Sequence, residues 1–432
     1  MSNFHDTIVA PITGTQPAAV ASIRISGDRA WEFAAKVFDR LPTDPTARYA
    51  YYGRFIHGDD GLLLLFEKGH SFTGEETAEC QIHGSPASVR ALVSHLIGLG
   101  ARMAEPGEFT YRAFMTGRMD LSQAEGVRET VDSQTARQLQ QANMMRQGVL
   151  REAVSQAREA LFGVLAMVEA TVDFSEEIGE LDRDEAIRRL PIGQLEDLAA
   201  TAQQGLLTRQ GIAVAIVGPP NAGKSSLLNR LLGADRAIVT PVAGTTRDTI
   251  EESAEINGLL VRFIDTAGLR AATDEAEKLG IERSTEAALG ADRTWFVYDA
   301  SIGWGEAEQS EWERLMKPQT IVANKCDLAR KSNQDHFAVS ALTGEGISSL
   351  TNTLLTLEQA EAAVTINGRH APLVQRALSS ARAAKDVFES PVPDDLAAVH
   401  LRDALHALGE ITGDTASEDM IDRIFRDFCI GK

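Results

Sequence analysis

Residues 218–226 combine residue types and a spacing that can hold a phosphate group. Their sequence, GPPNAGKSS, matches G-x-x-x-x-G-K-[ST]; the apolar run IAVAIV precedes it and the helix-favouring run SLLNRLLG follows. Glycines let the backbone curl so that its N–H groups face the phosphate. We expect Lys224 to reach the β- and γ-phosphates and Ser225 to ligate Mg²⁺. The residues predicted to line this loop are Asn221, Ala222, Gly223, Lys224, Ser225 and Ser226.

Three later segments, each after a predicted strand, complete a pattern for guanine nucleotides. In DTAG (265–268), the aspartate can hold the Mg²⁺ shell and the glycine N–H can sense the γ-phosphate. In NKCD (324–327), the aspartate can accept hydrogen bonds from guanine N1–H and the 2-amino group, which adenine cannot supply. The backbone of SAL (340–342) can contact guanine O6. The predicted GTP contacts here are Asp265, Thr266, Ala267, Gly268, Asn324, Lys325, Asp327, Ser340, Ala341 and Leu342.

The residue after DTAG is Leu269, where many GTPases carry a glutamine that orients the attacking water. Because leucine cannot hydrogen-bond to water, either hydrolysis is very slow or another group positions the nucleophile. Residues 274–280 (DEAEKLG) offer carboxylates just downstream, although by sequence alone each of them is more simply a solvated side chain. Arg247 and Arg270 are further candidates for stabilising transition-state charge.

Residues 240–248, TPVAGTTRD, supply many oxygen atoms beside this nucleotide pattern. Thr246 can complete the Mg²⁺ shell. Surplus carbonyl oxygens, together with Asn221, can hold a monovalent cation in the place of an arginine finger; the alternative is an ordinary mobile switch loop. The predicted GTP contacts in this segment are Thr240, Pro241, Val242, Ala243, Gly244, Thr245 and Thr246.

The pattern of residue types changes along the chain, which predicts a multidomain protein. Residues 1–118 are typical of mixed α and β structure, 119–208 of long helices, 209–357 of strands alternating with helices, and 358–432 of helices again. The third segment therefore predicts an α/β domain with a parallel sheet, inserted into a helical domain. In the last segment we expect two apolar helix faces, one formed by Leu396, Val399, Leu405 and Leu408 and one by Met420, Ile421, Ile424, Phe425 and Phe428.

The composition excludes several classes of protein. The chain has 432 residues, and 42 Lys+Arg against 62 Asp+Glu give a net charge of −20, which argues against nucleic-acid binding over the whole surface. Its apolar runs are far shorter than the roughly 20 residues of a membrane span, and no signal peptide is visible. The three cysteines, Cys80, Cys326 and Cys429, are too far apart in sequence for a zinc knuckle, which fits a reducing cytoplasm.

The nucleotide motifs resemble those of Ras-like GTPases in order and spacing, and other motifs make the resemblance more specific. These are SFTGEE (71–76), EPGEFTYRAF (105–114), DLSQAE (120–125) and the ending FCIGK (428–432). Together with AGTTRD and DTAGLR, they resemble the MnmE family, also called TrmE, of tRNA-modification GTPases. The resemblance covers essentially the whole chain, including the insertion of the G domain between helical segments.

The resemblance implies an N-terminal domain that binds a tetrahydrofolate derivative (5-formyl- or methylene-tetrahydrofolate) and forms a homodimer. It also implies an FAD-dependent partner, MnmG, in a heterotetramer. The pair would add a carboxymethylaminomethyl or aminomethyl group to carbon 5 of the wobble uridine of tRNA, using a folate-borne one-carbon unit. GTP hydrolysis would drive a conformational cycle in which the G domains pair in the presence of K⁺.

The resemblance also implies roles for single residues. Arg24, Glu79 and Lys432 match the folate contacts, and Arg118 falls where the family usually has lysine, which keeps the charge but changes the donor geometry. Glu277 matches the glutamate that orients the attacking water. The residues that match the K⁺ ligands are Asn221, Thr240, Val242 and Thr245.

Two other functions compete with this interpretation. A GTPase switch in ribosome or RNA assembly would need a compact basic module after the G domain, whereas residues 394–419 are rich in aspartate and glutamate. A folate-binding protein with an inactive G domain would not need the intact Lys224, Ser225, Asp265 and Asp327.

Overall fold

The computed structural model describes residues 6–14, 16–173, 179–234, 252–264, 290–315, 319–328, 336–354 and 365–431. The chain divides into two compact units. The first comprises 1–132, 142–197 and 372–432, and the second comprises 133–141 and 198–371. One unit is thus inserted in the sequence of the other, as the sequence predicts. The finer division at residues 118, 208 and 357 stays a prediction.

The described residues form the following strands and helices. The strands are β1 (Ile8–Pro11), β2 (Ala18–Ser26), β3 (Ala50–Arg54), β4 (Asp60–Phe66), β5 (Thr77–Gly84), β6 (Arg102–Met103), β7 (Ile212–Val217), β8 (Glu252–Ile256), β9 (Leu259–Ile264), β10 (Arg293–Asp299), β11 (Gln319–Asn324) and β12 (Phe337–Ala338). The helices are α1 (Ala30–Val37), α2 (Pro86–Gly98), α3 (Glu108–Met115), α4 (Leu121–Asp132), α5 (Ala136–Arg146), α6 (Val149–Asp173), α7 (Arg183–Arg189), α8 (Ile192–Ala200), α9 (Ala202–Gln210), α10 (Lys224–Ala234), α11 (Glu306–Glu313), α12 (Ile347–Asn352), α13 (His370–Glu389), α14 (Asp395–Thr412) and α15 (Glu418–Arg426).

The first unit contains a six-stranded sheet in the order β3-β4-β5-β2-β1-β6, antiparallel except for the β1–β6 pair. Side chains alternate between the two faces of a strand. On β2, Ile23 and Ile25 enter an apolar core together with Phe33 of α1 and Leu92 of α2. Arg24 lies between the two isoleucines in sequence and therefore points to the opposite face. The helices therefore cover one face of the sheet, and polar side chains such as Arg24 lie on the other face.

The helices of the first unit bury faces rich in small and branched residues. On α6 the apolar residues spaced by three and four are buried from Val154 to Val168, whereas Val172, near the end of the helix, is 54% exposed. On α14 the predicted face is right at Leu408, which is buried, but wrong at Leu396 and Val399, which are 48% and 62% exposed. Alanines fill much of the buried face instead, because small side chains let the α6 and α14 backbones approach closely. The buried apolar residues of α14 are Ala397, Ala398, Leu401, Ala404, Ala407, Leu408 and Ile411.

The second unit contains a six-stranded sheet in the order β12-β11-β10-β7-β9-β8. All its neighbouring pairs are parallel except β8–β9, so the predicted parallel sheet is confirmed with one antiparallel edge strand. Every residue of β7 is buried, with Val214 packing in one core and Ala215 in another. Both faces of a parallel sheet are normally covered, and this explains the uninterrupted apolar run IAVAIV. Within the described residues of both units, no helix is long and apolar enough to cross a membrane.

A buried arginine gathers three carboxylates at the edge of the first sheet. The Arg112 side chain is 2% exposed, and its guanidinium lies 2.5 Å from Asp6, 3.1 Å from Glu75 and 2.9 Å from Glu108. Burial alone would raise the pKa of Glu108, but hydrogen bonds from Arg102, the Glu105 N–H and Arg112 outweigh it and lower the pKa. The cluster ties the chain before β1 and the loop before β5 to α3.

We predict that Arg112→Met strongly destabilises the first unit. The substitution removes the arginine that pairs with Glu75, and it leaves Asp6 and Glu108 with Arg102 alone. Breaking a buried ion pair by removing one partner typically costs about 3–5 kcal/mol of unfolding free energy. Urea unfolding followed by circular dichroism measures the change. The control is Arg29→Met, since Arg29 pairs with Glu32 on the exposed surface of the same unit. Equal stability of the two variants would contradict the prediction.

Candidate functional site

The loop between β7 and α10 has a backbone shape that only certain residues tolerate. Gly218 has φ +132° and Gly223 has φ +87°, both in the region that L side chains rarely adopt. A Cβ on Gly218 would lie 2.1 Å from the Val297 carbonyl oxygen, and one on Gly223 would lie 2.3 Å from Asn324 Nδ2. Asn221 also has a positive φ, +60°. The loop is therefore a backbone cradle at the N-terminus of a helix, as a phosphate site requires.

Lys224, the first residue of α10, turns back over this cradle. Its Nζ donates hydrogen bonds to the carbonyl oxygens of Gly218 at 2.6 Å and Pro219 at 2.8 Å. Burial lowers the pKa of Lys224, against an opposing effect of Glu311. Ser225 and Ser226 follow in the first turn of the helix, where Ser225 is half-buried and Ser226 is exposed. The ammonium group is thus held at the start of the cradle by two backbone carbonyl oxygens.

The buried side chain of Asn324 connects two predicted segments. It lies at the end of β11 and is 1% exposed. Its Nδ2 donates to the Ala222 carbonyl oxygen at 2.9 Å, and its Oδ1 accepts from the Ala341 N–H at 3.1 Å. The phosphate loop and residues 340–342 are therefore held by the same amide group.

Lys325 reinforces this connection. Its Nζ donates to the Asn221 carbonyl oxygen at 2.9 Å and lies 2.7 Å from Asp299 Oδ2. Burial would raise the pKa of Asp299, but hydrogen bonds from Lys325 and Ser301 outweigh it and lower the pKa. Asp299 does not belong to any of the sequence motifs. Its position at the end of β10, beside the end of β11, is the signal that could have identified it.

The base side of the site is open. Asp327 lies in the turn after β11 and is exposed. Ser340 is fully buried: its N–H donates to the Glu345 carbonyl oxygen, and its Oγ accepts from the Thr343 N–H. Leu342 is 81% exposed, and its carbonyl oxygen accepts from Arg230. The predicted guanine contacts therefore lie on two adjacent loops, after β11 and after β12.

Several predicted residues lie outside the described part of the chain. They are Thr240, Pro241, Val242, Ala243, Gly244, Thr245, Thr246, Asp265, Thr266, Ala267, Gly268, Glu277 and Lys432. Their predicted roles in GTP, Mg²⁺, K⁺ and folate binding and in catalysis stay predictions. Of the predicted K⁺ ligands only Asn221 is described, and of the predicted Mg²⁺ ligands only Ser225.

A second group of predicted residues meets on the polar face of the first sheet. Arg24 on β2 is directly opposite Glu79 on β5, and two guanidinium nitrogens lie 2.9 and 2.8 Å from Glu79 Oε1. The Arg24 guanidinium also lies 4.8 Å from the ring centroid of Phe72 and 5.4 Å from that of Phe109. The sequence motifs contain both aromatic residues, but only the fold shows that they flank Arg24.

Arg118 and the end of the chain approach the elements around this pair. A Cβ on Gly74 would lie 2.9 Å from Arg118 Cγ, so Arg118 lies against the loop that supplies Phe72. The Cys429 carbonyl oxygen accepts from the Gly107 N–H, just before α3, at 3.3 Å. A Cβ on Gly431 would lie 2.4 Å from the Pro11 carbonyl oxygen of β1. The last described residues thus contact the N-terminal sheet.

Comparisons with known proteins cover nearly all of the chain. A family model described as GTP-binding protein TrmE N-terminus matches residues 7–118, and one described as MnmE helical domain matches residues 121–429. The tRNA modification GTPase MnmE of Aquifex aeolicus is 38% identical over 99% of this chain and 100% of its own length. The protein of the same name from Dechloromonas aromatica is 40% identical over 99% of both chains. Among solved structures, Era bound to MgGDPNP and a 16S ribosomal RNA fragment is 27% identical over 39% of this chain and 66% of its own, with a TM-score of 0.27.

We predict that Asn324→Ala weakens guanine-nucleotide binding. The substitution removes both hydrogen bonds that join the phosphate loop to residues 340–342, and each is worth about 0.5–1.5 kcal/mol. The loss of both corresponds to roughly a tenfold or greater increase in Kd, measurable by titration with a fluorescent GTP analogue. Asn352→Ala is the control, because Asn352 pairs with Asn257 on the exposed surface of the same unit. Identical affinities of the two variants would show that the bridge does not support the site.

Proposed function

We propose a role for this chain at the wobble uridine of tRNA on the premise that it belongs to the MnmE family of tRNA modification GTPases. As a member of this family, it is an enzyme that hydrolyses GTP in tRNA modification. Alignment over 99% of its length with relatives of that name is the observation that carries this function. The finer proposal is that it adds a carboxymethylaminomethyl or aminomethyl group to carbon 5 of that uridine, together with an FAD-dependent protein of the MnmG type.

The geometry of the second unit supports the nucleotide chemistry. The glycine cradle leaves room for phosphate oxygens where a Cβ would collide with backbone or with Asn324. Lys224 can exchange its two carbonyl partners for phosphate oxygens, and Ser225 is placed in the first helical turn, where the family's Mg²⁺ is ligated. Bound Mg²⁺ would neutralise charge that develops on the phosphates. Asp327, whose side chain is exposed, would select guanine.

For the hydrolysis step we propose Glu277 as the group that orients the attacking water, because Leu269 cannot do so. We also propose that K⁺ binds near Asn221, Thr240, Val242 and Thr245 and that the G domains pair when it does. Asn221 supports this proposal in one respect. Its backbone adopts a left-handed conformation, with φ +60°, and the residue lies in the phosphate loop next to the residues that would hold the nucleotide.

For the one-carbon donor we propose a tetrahydrofolate derivative on the polar face of the first sheet. A pterin ring carries an adjacent amino and amide N–H pair, which a carboxylate such as Glu79 can accept in the same way as an aspartate accepts guanine. Arg24 would lie over Phe72 and Phe109 and orient Glu79. Arg118 and Lys432 would supply positive charge for the glutamate tail of the folate. The contact of Cys429 with Gly107 supports this placement of the chain end.

The assembly that we propose contains two copies of this chain, joined through their N-terminal domains, and two copies of the FAD-dependent partner. It acts on tRNA in the cytoplasm. The net charge of −20 argues that the tRNA is held by a local basic surface or by the partner rather than by this chain as a whole.

We predict that tRNA from cells lacking this protein loses the modified wobble uridine, as measured by mass spectrometry of its nucleosides. Wild-type protein should restore it, whereas protein without Lys432 should not, because the charge-assisted contact to the folate is missing. Lys432→Arg keeps the charge and should restore part of the modification. GTP binding of the truncated protein should stay near normal. Unchanged uridines in the deletion strain would overturn the proposed function, and full rescue by the truncated protein would overturn the role of Lys432.

We predict that GTP turnover is much faster in KCl than in NaCl at equal ionic strength. Na⁺ is smaller and fits the same carbonyl oxygens poorly, so less charge on the phosphates is neutralised. Glu277→Ala should lose about 10²–10⁴-fold in turnover and keep its GTP affinity, since water orientation acts on the chemical step. Asp274→Ala, a nearby carboxylate, is the control. Equal rates in both salts would exclude the K⁺ role, and an active Glu277→Ala would exclude the glutamate.

A further inference from the structure

Histidine and aspartate side chains from two separate segments meet at one end of the first sheet. Asp59 lies in the turn between β3 and β4, Asp60 is the first residue of β4, and His83 lies near the end of β5. One potential ligand atom from each of these three residues lies within 4.8 Å of the other two. This group is far in sequence from the nucleotide motifs, and it shares no residue with the proposed folate contacts.

A fourth residue, His57, lies beside the same group, and its imidazole makes no hydrogen bond to the described residues that would explain its position. Its side chain is only 7% exposed, and its Nε2 lies 3.9 Å from Asp59 Oδ2. Neither ring nitrogen has a hydrogen-bond partner among the residues that the structure describes. Buried polar atoms in proteins are nearly always paired, so an imidazole with two unpaired buried nitrogens calls for a missing partner. A metal ion beside Asp59 would be such a partner for Nε2.

Neighbouring groups already hold the carboxylates in place. Asp59 Oδ1 lies 2.7 Å from His83 Nδ1, while Asp59 Oδ2 accepts from Ser88 Oγ at 3.0 Å and from the His83 N–H at 3.2 Å. Asp60 Oδ2 accepts from the Tyr52 hydroxyl at 2.5 Å. Hydrogen bonds of this kind orient the ligands of metal sites and preserve their geometry.

We propose that His57, Asp59, Asp60 and His83 form a binding site for a first-row transition-metal ion of the Zn²⁺ type. Two imidazoles and two carboxylates make a mixed nitrogen and oxygen set that suits Zn²⁺ better than Mg²⁺ or Ca²⁺, which prefer oxygen alone. Tetrahedral bonds of about 2.0–2.2 Å place ligand atoms roughly 3.4 Å apart. The ligand atoms of Asp59, Asp60 and His83, which lie within 4.8 Å of one another, must therefore contract around the ion. His57, 3.9 Å from Asp59, must approach this group as well.

The contraction is feasible because the His83 side chain is 68% exposed and free to move. The hydrogen bond between Asp59 and His83 would give way to two bonds to the ion. The ion would then join the β3–β4 turn to the end of β5, just before α2 begins at Pro86. It would have a structural role in the N-terminal domain, independent of GTP. The alternative is that no ion binds and that the same hydrogen bonds only stabilise the turn. The test must exclude this alternative.

The test uses untagged full-length protein from which metal has been removed with a chelator. Zn²⁺ is added in competition with a chromophoric chelator, and Co²⁺ is added separately while its visible absorption is recorded. The variants are His57→Gln, Asp59→Asn and His83→Gln. The control is His406→Gln, because His406 forms a similar pair with Glu410, at 3.1 Å, outside any such cluster. Circular dichroism checks that each variant is folded.

We expect one equivalent of Zn²⁺ to bind and the absorption of bound Co²⁺ to be that of a tetrahedral site without thiolate. Each of the three variants should weaken Zn²⁺ binding by on the order of tenfold or more, and His406→Gln should not change it. His83 is exposed, so His83→Gln remains informative even if substitutions at the buried His57 unfold the domain. Absence of binding, equal binding by wild type and His83→Gln, or a thiolate band from Cys429 would each overturn the proposal.

Discussion

The nucleotide site depends on one buried amide. Asn324 joins the phosphate loop, through Ala222, to the base-side loop, through Ala341. Such a side chain can serve both loops only because β7, β11 and β12 are parallel and release their loops at the same edge of the sheet. In a buried position the amide has no water to replace either partner, and each loop is therefore fixed by the other. Lys325 and Asp299 strengthen this arrangement with a charged pair next to the cradle.

In the first unit, charged side chains instead of an amide hold separate segments of the chain together. Its sheet buries one apolar face under α1 and α2, while the other face carries Arg24 and Glu79 as a directly opposed pair. Arg112 holds three carboxylates in a region with little water, so the loop that carries Phe72 and the helix that carries Phe109 are fixed relative to β2. The chain end adds its own contacts through Phe425 and Phe428, which pack beside Tyr111 and Phe114. A ligand on this face would meet a preformed surface, so little binding free energy would be lost to ordering it.

Local patterns and long-range packing differ in how well the sequence predicts them. The phosphate loop is predictable because its glycines, lysine and serine lie close together in one short motif. The apolar run before the motif also predicts a buried element, either a strand or a helix segment. The buried face of α14 is not predictable in this way: alanines and leucines both occur there, and only contact with α6 decides that Ala397 and Ala404 are inside while Val399 is outside. Apolar side chains also occur on protein surfaces, and a periodic pattern of leucines therefore does not identify the core face by itself.

The sequence by itself determined the class of the second unit, its nucleotide motifs and the family, because each rests on neighbouring residues whose types restrict the local chemistry. Only the tertiary structure decided which distant residues meet. The opposition of Arg24 and Glu79 follows from the register of β2 and β5, and the approach of His83 to Asp59 follows from the pairing of β4 with β5. The burial of Arg112 likewise depends on residues about 37 to 106 positions away. Such contacts arise from chain packing in three dimensions, and one sequence carries no periodic or motif signal for them.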